Sequence, residues 1–417
     1  MNISSVISEY NPFHQGHKYH LEETKKITGS DYTIVIMSGN FTQRGTPAIL
    51  DKYARTRQAL LNGADLVLEL PIYFATASAE GFAFGAVSIL EKLGVVSSLV
   101  FGSESGEISS IRQVADFLSL ESHEYQEHLK SFLKKGYSFP KARAACLNRF
   151  LPDISTKFLS SPNNILGIEY CRALNYFHSP MVPMTICRKD NSYHDSNLSS
   201  SGKLSSATAI RKFLSNIDSS QSHERLQSLT GHLPDNSLTI LAENWDRYAP
   251  ITTNDLSLLL KYKLLSEDRT SVTQYLDITC DLADRIYNHI NAYKDFTSFC
   301  DLLKTKELTH TRISRGLLHI LLNIKKEDYL SVCHKGYGQY ARILGFRKEA
   351  VALLHEIKKK SSIPLISKLS DAVRSTNDIS LDMLQKDIYA SNIYESVIAD
   401  KFKQNFRNEF QRPVIVV

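Results

Sequence analysis

Long apolar runs are missing from this chain. No uninterrupted hydrophobic stretch approaches the roughly 20 residues that a membrane-spanning helix needs, and Glu9 interrupts the first apolar run. Neither a span nor a secretory leader is expected. Cysteine is scarce as well: Cys146, Cys171, Cys187, Cys280, Cys300 and Cys333 are scattered without a C-x-x-C pair. That spacing argues against a disulfide frame or a zinc site and fits reduced thiols, so a soluble, cytoplasmic protein is expected. A lopsided charge is also absent. The formal net charge of +5 over 417 residues permits a polyanionic partner without requiring one. What is present is globular composition, 42% hydrophobic and 22% charged, in a chain long enough for two or three domains.

The texture changes along the chain. In residues 1–230, short apolar runs at Ile3–Ser8, Tyr32–Met37, Asp65–Leu70, Ser98–Phe101 and Met181–Cys187 alternate with helical patterns at 51–62, 78–93, 108–119 and 164–177. This alternation predicts an α/β domain, a Rossmann-like parallel sheet covered by helices. Asp51 and Gly63 punctuate the helix of 51–62 as N-cap and stop. From about residue 235 the strand-like runs give way to helical ones at Leu256–Leu265, Ser271–Ala292, Arg312–Ile324 and Arg347–Lys358. Residues 231–417 therefore read as a mainly α-helical domain. Asp190–Lys203 and Asp218–Asn236, rich in Ser, Asn and Asp, read as joins.

Glu9-Tyr-Asn-Pro-Phe-His-Gln-Gly-His17 follows the first strand, and a helical pattern opens at His17. In an open parallel sheet, ligands bind beyond the carboxyl ends of the strands near the switch in strand order, so this turn has a favoured address. Gly16 lets a phosphate approach the backbone, the helix start offers unpaired N–H groups, and two imidazoles can donate to phosphoryl oxygens. A helix cap is the plainer use of one such histidine, and a four-residue match is weak by itself. No third ligand at a recognisable spacing completes a metal site. Ser38–Gly45 and Phe101–Gly106 are small-residue turns after other strands, in which Arg44 offers an anion contact and Gly102 a close approach to the backbone. Ser205-Ser-Ala-Thr-Ala-Ile-Arg211 reads as a helix start suited to a polyphosphate, or as an ordinary cap.

Taken together, His14-Gln-Gly-His17 and Ser205–Arg211 resemble the H-x-G-H nucleotidylyltransferase superfamily. Longer motifs in the same order narrow the resemblance: Glu9–His17, Ser38–Gly45, Gly63–Pro71, Phe101–Glu104, Asn163–Tyr170, Thr311–Arg315, Tyr340–Phe346 and Arg412–Val416. The chain looks like a member of the bacterial tRNA(Met) cytidine acetate ligase family, over nearly its whole length.

That resemblance implies a two-step reaction, in which acetate attacks the α-phosphate of ATP and the acetyl group of the adenylate passes to the wobble cytidine of elongator tRNA(Met). The product would be N4-acetylcytidine. It implies His14 and His17 as the groups acting on the α-phosphoryl. It also implies a nucleotide site made of Ile7, Ser8, Glu9, Tyr10, Asn11, Pro12, Phe13, His14, Gln15, Gly16, His17, Lys18, Tyr19 and His20, with Gly102, Asn163 and Arg188. Whether Asn163 or Asn164 serves stays open, since asparagine at a helix start is also a cap. Magnesium is expected with the phosphates, without a dedicated protein cage. No membrane or DNA partner is expected, and the sequence leaves the oligomeric state open. For tRNA the helical half offers Arg312, Arg315, Arg342, Arg347, Lys348 and Lys358–Lys360, each of which could equally be a solvated surface charge. Two other classes stay open: a nucleotidylyltransferase acting on a small metabolite, and a nucleotide-sensing RNA-binding protein without turnover.

Overall fold

The computed structural model describes residues 1–120, 122–188, 205–215, 222–375 and 378–417. The first strand, β1 (Ile3–Ser8), is buried almost throughout, as expected where helices cover both faces of a parallel sheet. Its serines tolerate this because each finds a partner. Ser4 Oγ lies 3.0 Å from Thr33 Oγ1, and Ser5 Oγ donates to the Ser98 carbonyl at 3.0 Å.

Helix α1 (Gln15–Thr28) returns the chain to β2 (Tyr32–Ser38), and α2 (Lys52–Leu61) to β3 (Leu66–Leu70). Asp51 caps α2 by accepting from the Ala54 N–H at 2.7 Å, and Gly63 follows its end at φ +112°. After α3 (Ala79–Lys92) the chain crosses to the other side of β1 to form β4 (Ser98–Ser103). It continues through α4 (Ile108–Ser119) and α5 (Pro162–Tyr176) to β5 (Val182–Cys187). The parallel order β5-β4-β1-β2-β3 therefore reverses direction between β1 and β4. The crevice at their carboxyl ends is the address where such sheets bind ligands.

Strands do not stop near residue 235. β6 (Ala341–Phe346) runs antiparallel to β3, and β7 (Leu365–Ile366) and β8 (Ile415–Val416) both pair parallel with β6. The sheet is thus built from both parts of the chain, and one buried apolar cluster runs without a break from Ile3 and Phe101 into Leu260, Leu282 and Leu317. The expected helix of Ser271–Ala292 is also interrupted: Asp277 takes φ +66°, which no helix interior accommodates, and the helix proper is Cys280–His289. Asp190–Lys203 and residues 218–221 lie outside the described residues. Ser222–Asn236, read from composition as a join, carries a helix at Ser222–Gln227 and the start of another at Asp235.

A buried ionic cluster ties the last part of the chain to the sheet. Lys52 Nζ sits 2.7 Å from Glu69 and 2.6 Å from Glu409, and Arg342 sits 2.9 Å and 2.7 Å from the same carboxylates. Two cations balance two carboxylates in a water-excluded interior, which is the condition for such charges to be tolerated.

Candidate active site

Helix α1 begins at Gln15, two residues before the pattern suggested, because His14 is itself the N-cap. Its Nδ1 accepts from the Gly16 N–H at 3.0 Å, while the His14 N–H donates to Nδ1 of His17 at 3.3 Å. The spacing of three residues is therefore a capping box made of two imidazoles. The rings stack with centroids 3.8 Å apart. This geometry assigns the protons. A ring nitrogen that accepts from a backbone N–H carries no hydrogen, so each neutral ring holds its proton on Nε2 and offers it as a donor. Burial keeps them neutral: desolvation, reinforced by Arg188 and Arg211, brings His14 down to about 3, and the same causes together with His14 hold His17 well below its ordinary value.

Below the pair, a buried arginine fixes the strand ends. Arg55 donates from Nε to the Leu50 carbonyl at 3.0 Å, from Nη1 to Glu9 at 2.6 Å and Ser38 at 3.1 Å, and from Nη2 to Gly39. The turns after β1 and β2 are thereby clamped to one another.

The histidines face a cavity of about 1030 Å³. Helix starts meet at its wall, among them those of α1, α3, α5, α6 (Ala207–Leu214), α7 (His310–Leu321) and the helix Phe139–Phe150. Ser78, Ser206 and Thr309 cap three of them. Glu104 takes the Asn163 and Asn164 N–H groups of α5, at 3.2 Å and 2.9 Å. Arg44, Arg143, Arg172, Arg188, Arg211, Arg312 and Arg315 line the same space against the carboxylates Glu9, Glu80 and Asp277. Helix starts and guanidinium groups together make it strongly attractive to anions.

Of the residues expected at a nucleotide site, Ile7, Ser8, Glu9, His14, Gly16, His17, Tyr19, His20, Gly102, Asn163 and Arg188 line this cavity. The other six do not, for identifiable reasons. Tyr10 and Phe13 are fully buried in the core beneath α1, and Asn11 accepts from the Ile49 N–H at 2.9 Å. Pro12 is buried in a cis peptide with Asn11, the Gln15 N–H donates to the His232 carbonyl, and Lys18 reaches outward toward Glu22. Between the two asparagines, Asn163 faces the cavity and accepts from Arg188 at 3.2 Å. Asn164 is turned inward, accepting from the Glu104 and Ser105 N–H groups. Ser78, Arg143, Asp277 and the apolar wall of Phe82, Leu129 and Leu166 carry no signal local enough to be picked out from sequence, and Glu104 is marked there only as the end of the Phe101–Glu104 motif. Arg211, which donates to the Asn11 carbonyl at 2.7 Å, and Arg44 had been visible as candidate anion contacts.

Comparison with known proteins gives the chain's family. Residues 1–409 match the family model described as HIGH Nucleotidyl Transferase. The chain is 38% identical, over the full length of both, to the tRNA(Met) cytidine acetate ligase of Acetivibrio thermocellus, and 40% identical to that of Clostridium perfringens over 94% of this chain and 95% of the relative. This chain belongs to the tRNA(Met) cytidine acetate ligase family. Solved structures of Thermotoga maritima TmcAL superpose along the whole of both chains at 33% identity, with TM-scores of 0.89 for the form bound with alpha-thio ATP and 0.91 for the apo form.

The structure places the basic residues of the helical part in different settings. Arg342 is corrected: it is buried in the ionic cluster and reaches no surface. Arg315 is tied to Asp277 through Nε at 2.8 Å. Arg347 is half-exposed beside Glu349, and Lys358, Lys359 and Lys360 form the last turn of a helix away from the cavity lining. Arg312 lines the cavity. Among the described residues no helix is long and apolar enough to cross a membrane.

Proposed function

We propose that this chain is an ATP-dependent ligase that activates acetate as acetyl-adenylate and transfers the acetyl group to N4 of the wobble cytidine of elongator tRNA(Met). The observation that carries the chemistry is the His14–His17 capping box, which aims two Nε2–H donors into an anion-seeking cavity at the β1/β4 switch point. The acyl donor and acceptor are taken from the names of the full-length relatives.

In the first step an acetate oxygen bonds to the α-phosphorus and the bond to the β-phosphate bridging oxygen breaks, releasing pyrophosphate. The two Nε2–H groups donate to the α-phosphoryl oxygens as charge shifts there, while Arg188, Arg211 and the start of α6 hold the departing phosphates. In the second step the cytidine amine bonds to the acetyl carbon, AMP leaves with the acetate oxygen on its phosphate, and the amine gives up a proton. Adenylation matters because a carboxylate by itself has only oxide to expel. A cavity at the upper end of the usual small-molecule range of roughly 300–1,000 Å³ has room for a nucleotide and an incoming base. Among the described residues no group of three His, Cys, Asp or Glu side chains converges to hold a metal. Magnesium would arrive with the triphosphate, bound through phosphates and waters.

Acetate-dependent exchange of labelled pyrophosphate into ATP tests the first step, and acetylated cytidine found by mass in digested tRNA tests the second. Exchange driven by acetate and a tRNA product are expected. Transfer of a nucleotide onto another small acceptor, with no tRNA product, would replace the proposal by a metabolite nucleotidylyltransferase. Absence of both activities would leave a nucleotide-sensing RNA-binding protein.

A further inference from the structure

The cavity arginines differ in how they are held. Arg211 is hydrogen-bonded to the Asn11 carbonyl and Thr208, Arg188 to Asn163, and Arg315 to both oxygens of Asp277. Arg312, one turn before Arg315 on α7, has no hydrogen-bond or ion-pair partner for its guanidinium among the described residues. It also occupies the third position of its helix, beside the positive end of the helix dipole, and no acidic residue lies in that first turn. Asp277, a carboxylate on the same cavity wall, is already engaged by Arg315 and lies 3.7 Å from His319. An unpaired cation held against a helix start, on a cavity wall, is a site that an anion completes.

Its place in the fold decides which anion. Arg188 and Arg211 come from the part of the chain that carries the parallel strands, whereas Arg312 is carried by α7, on the wall contributed by the helical part. That wall is tied to the turn after β2 close to Arg312. The Ser314 hydroxyl donates to the Gly45 carbonyl at 2.8 Å, and Gly45, at φ +73°, leaves no room for a side chain beside the Arg315 backbone. Its neighbour Arg44 lines the same cavity.

We infer that Arg312 is the anchor for an RNA backbone phosphate flanking the reacting cytidine, and that Arg315 is a positioning residue whose pairing with Asp277 holds the first turn of α7 at the cavity. This rests on the acetyl-transfer reading above. The sequence spacing pairs the two arginines on one RNA-facing surface; the structure gives them separate tasks.

The test uses the full-length protein with Arg312→Ala, Arg312→Lys and Arg315→Ala, measuring pyrophosphate exchange and tRNA acetylation in parallel. Exchange reports the first step alone, so its absence in the wild type would overturn the acetyl-transfer reading rather than the role of Arg312. Arg312→Ala is expected to leave the KM values for ATP and acetate in exchange unchanged. Its KM for tRNA should rise roughly ten- to a hundred-fold, the range for losing a charge-assisted hydrogen bond. The slope of log affinity for tRNA against log salt should shrink by roughly 0.7–0.9, one phosphate's share. Lysine should restore the slope and part of the KM, keeping the charge without the fork. An unchanged KM for tRNA, or a raised KM for ATP or acetate, would overturn the assignment.

Discussion

Replacing His14 by asparagine separates two tasks that the imidazole performs at once. Nδ1 caps α1 by accepting from the Gly16 N–H at 3.0 Å, and Nε2 carries the proton proposed to act on the α-phosphoryl group. The amide oxygen of asparagine stands where Nδ1 stands and is among the best N-cap acceptors, but the side chain ends before Nε2. His14→Ala should therefore lose both functions and His14→Asn only the second. Loss of a cap costs about 1 kcal/mol, with a range of about 0.5–2. Loss of one preorganised donor to a developing oxyanion costs about 3–4 kcal/mol, a rate loss of roughly a hundred- to a thousand-fold. Acetate-dependent exchange measures the second figure and urea unfolding the first. The expected pattern is near-normal stability for His14→Asn, a lowered midpoint for His14→Ala, and the same severe loss of exchange in both. If His14→Asn kept exchange within a few-fold of the wild type, the capping role would be sufficient and the catalytic role would fall.

Further outcomes follow from the same geometry. The folded-state pKa of His14 is depressed, so its neutral ring contributes stability that is complete above the unfolded value near 6.5 and is lost as pH falls toward about 3. At pH 5 the loss from His14 is about 2 kcal/mol, and urea midpoints of His14→Asn should fall less with pH than those of the wild type; parallel curves would contradict the burial argument. Arg342→Ala leaves Glu69 and Glu409 sharing Lys52 alone and should destabilise the fold by about 3–5 kcal/mol, read as a lowered urea midpoint, whereas an RNA-contact role would weaken tRNA binding with stability intact. Gly45→Ala adds the strain of a left-handed residue, roughly 1–2 kcal/mol, to a collision with the Arg315 backbone. A lower unfolding midpoint together with weakened tRNA acetylation is expected, and a neutral substitution would mean that the contact is not firm.

The part of the molecule that carries the site was legible because its signals are local. The strand, turn and helix around His14, and the cap and stop of α2 at Asp51 and Gly63, are all set by neighbours within a few residues. β6 escaped because a run of six residues, one of them an arginine, standing alone among helices, gives no alternation from which to infer a sheet. Only its pairing with β3, distant in sequence, makes it a strand, and only Glu69 and Glu409 make Arg342 tolerable inside. Arg55 carries no local mark of a clamp, since three of the four carbonyls it serves belong to the distant turns after β1 and β2. The separate tasks of Arg312 and Arg315 were hidden for the same reason, because Asp277 is 38 residues away in the chain. The convergence of helix starts on one cavity is a property of topology, and the motifs showed only separate members of it.

The account stands most directly on where an oxygen atom goes. Acetate labelled with ¹⁸O in both positions, supplied with ATP, magnesium and unmodified elongator tRNA(Met), should leave one labelled oxygen in AMP and the other in the acetylcytidine amide. Labelled orthophosphate appearing with ADP, or AMP without label, would contradict attack of acetate at the α-phosphorus.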